Sequence, residues 1–125
     1  MWETRNPGRG PVVRAPDGSA VHPLARLGAL ASFAEFVLAP EQVSAAVEHQ
    51  TVQEIWYVTA GSGELWRRGS EGEEVVALVP GVCATIPLGT AFQFRADSAG
   101  LRVVAVTVPS WPDGSDEARV TTGHW

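Results

Sequence analysis

From residue 32 onward, apolar and polar positions alternate with a period of two. In the segment 32–38, Ala34, Phe36 and Leu38 share one parity while Phe33, Glu35 and Val37 share the other. Successive side chains of a strand point to opposite faces, so this pattern predicts a strand with one wetter side. Similar short segments run over 44–49, 53–59, 63–68, 74–79, 82–86, 91–96 and 101–108. They are separated where Gly or Pro permits a turn: Gly61-Ser62-Gly63, residues 69–72, Pro80-Gly81 and Pro87-Leu88-Gly89. No segment combines a 3.6-residue period, caps and a length of ten or more, so no helix is predicted. About eight short antiparallel strands must either close on themselves or form two facing sheets, and an all-β barrel or jelly roll follows.

The two ends read differently. Pro7, Gly8, Gly10, Pro11, Pro16, Gly18 and Pro23 make residues 1–31 an irregular N-terminal arm, with a turn at Asp17-Gly18 and an edge strand at Val12-Val13-Arg14. The barrel is expected over 32–108. The tail, 109–125, holds a turn at Trp111-Pro112-Asp113-Gly114, the acidic Asp116-Glu117 and the terminal His124-Trp125. Its two tryptophans predict that it packs on the barrel.

Composition removes several function classes. The 125 residues fit one domain, and 14 acidic against 9 basic residues, all arginine, give a net charge of −5. Nucleic-acid binding needs a net basic face, and the one basic cluster, Arg67-Arg68, is expected to be a solvated pair. No apolar run approaches the roughly 18 residues of a membrane span, and the first residues lack the apolar stretch of a signal peptide. A cytoplasmic protein with no membrane partner is expected. A single cysteine excludes an internal disulfide, and Cys83 reads as a small apolar strand residue rather than a nucleophile. The G-x-G at Gly61–Gly63 precedes a strand, so a tight hairpin and not a phosphate loop is expected. His22 and His124 read as surface residues, and Gln93 and Arg95 as outward positions suited to a subunit contact.

Two stretches carry a resemblance. Glu54-Ile-Trp-Tyr-Val-Thr-Ala-Gly61 is similar to the E-x6-G half of the first cupin motif, and His49 stands five positions before Glu54, where the second histidine of that motif belongs. Gly81-Val-Cys-Ala-Thr-Ile-Pro87-Leu-Gly89 is similar to the opening of the second cupin motif. The chain therefore resembles the small single-domain bacterial cupins over residues 33–107. The resemblance implies an RmlC-like double-stranded β-helix, a homodimer, and a site inside the barrel where cupins hold Fe, Mn, Ni or Zn.

This chain departs from the motif at the positions that matter for metal. The first histidine position is Val47, the histidine of the second motif is Phe92, and its terminal Asn position is Ala96. His49 and Glu54 alone keep donor side chains, and two ligands do not ordinarily hold a catalytic divalent ion. No metal is therefore expected, and if one binds it uses His49 and Glu54. Alternation also turns Gln53 and Gln93 away from the site. Val47, Phe92, Phe94, Trp56 and Val58 would then wall an apolar interior around one imidazole and one carboxylate, the composition of a small-molecule pocket. The expected ligand-binding set is His49, Glu54, Trp56, Val47, Phe92 and Phe94. Its ligand is a small organic molecule, sugar-like or an aromatic acid. The alternative is a cupin enzyme, a sugar isomerase or epimerase or a metal-dependent oxygenase, with His49 and Glu54 as its acid–base pair. A third is an interaction domain with a vestigial cavity.

Overall fold

A computed structural model describes residues 1–8, 12–112 and 116–125. Among these residues there are nine strands and no helix: β1 (Val13–Arg14), β2 (Ala20–Leu27), β3 (Ala31–Leu38), β4 (Val47–His49), β5 (Gln53–Gly69), β6 (Gly72–Leu78), β7 (Cys83–Ile86), β8 (Ala91–Val108) and β9 (Ala118–Val120). Accordingly, no helix is long and apolar enough to cross a membrane. All pairings are antiparallel.

Two long strands build both layers. β5 and β8 pair along nearly their whole length, from Gln53 opposite Val108 to Arg68 opposite Ala91, and the register slips where Gly61 faces Leu101 and Gly63 faces Ala96. There the ribbon bends and passes from one layer to the other. The first layer runs β1, β2, β3, the second half of β8, the first half of β5, and β7. The second runs β9, β4, the first half of β8, the second half of β5, and β6. The core lies between them: Leu38, Val58, Leu65, Leu78, Ile86, Leu101 and Val103 are essentially inaccessible. Truncating one such leucine to alanine costs about 2–5 kcal/mol.

Gly61–Gly63 is therefore not the expected hairpin but the bend within β5. A Cβ on Gly61 would stand 2.0 Å from the Gly100 carbonyl oxygen, and one on Gly63 2.0 Å from that of Arg95. The glycines are needed because two backbones touch at the corner. The segments expected as separate strands, 53–59 with 63–68 and 91–96 with 101–108, are accordingly the halves of single bent strands.

The arm departs from expectation too. β1 is the expected edge strand, but residues 20–27 form an eight-residue strand paired with β3, with an irregularity at Pro23 that accommodates its missing N–H. The tail lies along the second layer, with β9 on β4 and Trp125 packed against Ala46, Trp66 and Ala91. Asp113 and Gly114 of the turn expected there lie outside the described residues. Cys83 is exposed on β7, opposite Tyr57.

Candidate functional site

The two turns of the second motif share one construction. Val82 N–H donates to the Val79 carbonyl at 3.1 Å and Thr90 N–H to that of Pro87 at 3.2 Å, and the third residue of each turn, Gly81 or Gly89, has a positive φ (95° and 84°). Pro second or first and Gly third is the chemistry of a tight turn that needs a left-handed residue. Between the turns β7 lies against the start of β5, Ile86 beside Glu54 and Ala84 beside Trp56.

Over the first seven residues of β5, Gln53 to Thr59, burial alternates strictly, so Glu54, Trp56 and Val58 face inward while Ile55 and Tyr57 face out. Val47 and His49 point inward from β4, and Phe92 from β8, where it pairs with Val47. The result is a cavity of about 450 Å³ whose lining includes Val47, His49, Glu54, Trp56 and Phe92. Phe94 is a correction: it is inward and buried, but it packs edge-on behind Trp56 at 4.9 Å and is absent from the lining. Phe36, Thr107, Trp111 and Asp17 also line the cavity, and none was among the expected site residues. Their side chains come from β3, the end of β8, the tail and the arm. Sequence offered a hint for Trp111 alone, as a large aromatic in a short tail.

His49 is held between rings, 5.2 Å from Phe92 and 5.1 Å from Trp111, edge-on to each. Its Nδ1 lies 3.6 Å from Glu54 Oε2, too far for a hydrogen bond. Burial holds the imidazole pKa below its usual value, against the opposing pull of the Glu117 charge. Burial, reinforced by the Asp17 charge, pushes the Glu54 carboxyl up to about 8. Near neutral pH the pair is thus a neutral imidazole beside a largely protonated acid, a combination able to pass a proton either way. His49 Nδ1, Glu54 Oε1 and Trp56 Nε1 are fully shielded and have no hydrogen-bond partner.

The loop between His49 and β5 is fixed by the tail. The buried Glu117 carboxylate accepts from Thr51 N (2.8 Å), Thr51 Oγ1 (2.7 Å) and Val52 N (2.7 Å), and the Glu117 carbonyl accepts from Gln50 N (2.9 Å). Burial opposes its charge, but these hydrogen bonds hold its carboxyl below the usual value.

The donor set does not fit a cupin metal. Val47, Phe92 and Ala96 offer no ligand atom, and among the described residues no group of three His, Cys, Asp or Glu side chains could hold an ion.

The remaining candidates lie elsewhere. Gln93 and Arg95 do turn away from the cavity; Gln93 is buried and bonded to the tail of the same chain, which corrects its reading as a subunit contact, and the half-exposed Arg95 lies over the Trp125 ring at 4.3 Å. His124 is exposed and stacks on Trp66. Arg67 pairs with Glu74, and Arg68 lies over Trp66.

No family model and no curated protein matches the chain. Solved structures do. KdgF from Halomonas sp. superposes with a TM-score of 0.75 at 18% identity, over 90% of this chain and 97% of that one. A Streptomyces PAC13 variant with uridine gives 0.75 at 12% identity, over 98% and 92%. A Bacillus subtilis oxalate decarboxylase variant gives 0.70 at 14% identity, over 87% of this chain and 31% of that one.

Proposed function

Starting from a chain with the cupin fold, we propose that it binds a small organic molecule, sugar-like or an aromatic acid, inside the barrel, with His49 and Glu54 as polar anchors and Val47, Trp56 and Phe92 as walls. One observation carries this reading. The three residues that each hold a buried polar atom without a partner, His49, Glu54 and Trp56, line one cavity that is otherwise mostly apolar. Each such atom costs about 1–3 kcal/mol unless something bonds to it, and a ligand with matching groups removes that cost. A PAC13 variant of similar fold was solved with uridine, which supports a small organic ligand for a chain of this fold. The protein is proposed to work in the cytoplasm, without a metal, as a homodimer; the exposed Ile55 and Tyr57 on the outer face of β5 support the last point.

A thermal-shift screen of the full chain against sugars, nucleosides including uridine, and aromatic acids tests the reading. A ligand of the native state raises the melting temperature, by about 2.7 kcal/mol of added stability at one hundred times its Kd. The rise should vanish in Glu54→Gln or His49→Phe. A broad screen without a hit defeats the proposal. Elemental analysis of untagged protein runs beside it: stoichiometric metal lost in His49→Ala defeats the metal-free part.

The raised Glu54 carboxyl also favours a second reading, an enzyme of the isomerase or epimerase class in which Glu54 and His49 exchange a proton with a bound sugar. Solvent deuterium entering a C–H position of a ligand found in the screen, and not entering it without the protein, selects it.

A further inference from the structure

The turn at residues 15–19 is nailed in place. Gly18 N–H donates to the Ala15 carbonyl and Ala15 N–H to that of Ser19, both at 2.9 Å, and Gly18 takes the positive φ (92°) the turn requires. The Gly18 carbonyl accepts from Arg14 at 2.7 Å and Gln42 at 3.1 Å, and Ala45 N–H donates to the Asp17 carbonyl at 2.7 Å. The Asp17 side chain is fixed through one oxygen: Oδ1 accepts from Ser19 N at 2.9 Å and from Ser19 Oγ at 2.7 Å, and Ser19 is wholly buried. Its Oδ2 has no hydrogen bond, and Asp17 lines the same cavity as His49, Glu54 and Trp56. An arm residue whose sequence context signals a turn and nothing else thus places a second carboxyl at the cavity wall.

We propose that Asp17 is a ligand-contacting residue of the barrel, and that Asp17 and Glu54 together select uncharged, ring-sized molecules that donate hydrogen bonds over molecules bearing a carboxylate. The inference rests on the cavity being a binding site and narrows its ligand class. Asp17 and Glu54 line one mostly apolar cavity, and among the described residues Glu54 Oε1 is buried without a partner. Donor groups of a hydroxylated or amide-bearing ring satisfy both. An anion would lose its water and, where salt screens poorly, meet the Asp17 carboxyl, whose pKa burial raises, beside a Glu54 that is largely protonated and so brings no positive charge. Of the guanidinium groups on the lining, Arg26 is engaged: it donates to the carbonyls of Gly28 at 2.9 Å and Trp111 at 3.2 Å. Arg5, on the lining as well, is exposed to solvent, which screens its charge.

Benzamide and benzoate separate the alternatives, because they share a ring and a planar head but differ in charge and in N–H donors. Each is titrated into the full chain at pH 7.5 and followed by amide and tryptophan side-chain NMR shifts. Benzamide should bind at least tenfold more tightly than benzoate, and Asp17→Asn should shrink the ratio to within threefold. Ser19→Ala loosens the same turn but keeps the carboxyl, so it should preserve the wild-type ratio. Benzoate binding as well as benzamide, or an unchanged ratio in Asp17→Asn, overturns the role of Asp17 while leaving the cavity as a binding site. If neither probe shifts a cavity resonance, the binding reading itself fails and the inference with it.

Discussion

Two buried polar sites, one on the outer face of the second layer and one in the barrel interior, are finished differently. On the outer side Gln93 is bonded throughout: its Nε2 donates to the Ser44 carbonyl at 2.9 Å and that of Trp125 at 3.4 Å, and its Oε1 accepts from His124 N and Trp125 N at 2.9 and 3.0 Å. Gly123 passes so close that a Cβ there would meet Gln93 Oε1 at 2.4 Å. On the inner side His49, Glu54 and Trp56 are as deeply buried and each leaves a polar atom without a partner. A polar group that the fold needs is satisfied by the fold, whereas one left open by the fold costs stability and implies a partner from outside. The tail side is finished by the fold itself, and the barrel side is where we propose a ligand.

That contrast can be broken by mutation. The largest effect should come from Glu117→Ala, which strips three donors, the buried Val52 N–H among them, of their acceptor in the loop after His49. A loss of about 3–5 kcal/mol is expected, measured by urea denaturation. Gln93→Ala should follow, with a loss of about 2–3 kcal/mol and a tail newly open to proteolysis. If Gln93→Ala proves neutral, the tail is not held as the contrast requires.

Glu54 should behave in the opposite sense. Its folded pKa of about 8 lies above the ordinary 4.5, so between these values the folded state keeps a proton that the unfolded state has released. Stability then falls as pH rises through that window and levels off above it. Glu54→Gln removes this slope, and at pH 8.5 the variant should be more stable than the wild type by on the order of 2 kcal/mol. Parallel melting curves from pH 5 to 9 for both proteins would contradict the assignment. The smallest effect belongs to Arg95→Ala, which removes a cation over the Trp125 ring and a partly exposed ion pair with Glu64 at 2.7 Å; about 0.5–1 kcal/mol is expected by the same denaturation.

Local pattern placed much of this, and its failures share a cause. Alternation around Glu54 and the two motif stretches put Val47, His49, Glu54, Trp56 and Phe92 inward, because a strand's period alone fixes which face a residue joins. The same parity turned Gln93 outward correctly but could not say that residues thirty positions later would cover it. Phe94 has the right parity and the wrong depth, since Trp56 stands between it and the cavity, and depth depends on what packs in front. Gly61 and Gly63 read as a hairpin because a close approach to Gly100 and Arg95 leaves no local trace. Asp17 escaped for the same reason: its neighbours announce a turn, but only the pairing of β2 with β3 carries that turn to the barrel.

The corner at Gly61 and Gly63 also bears on how the cavity is entered. Because β5 and β8 each run unbroken through both layers, the walls are stitched by continuous chain and cannot part like the halves of a shell without breaking the ladder between them. A guest of the kind proposed would therefore meet a chamber that already has its shape, with Asp17 and Trp111 on its lining from outside those two strands. Little ordering is left for the guest to impose, so its fit is decided by the outline of the chamber rather than by the effort of reshaping it.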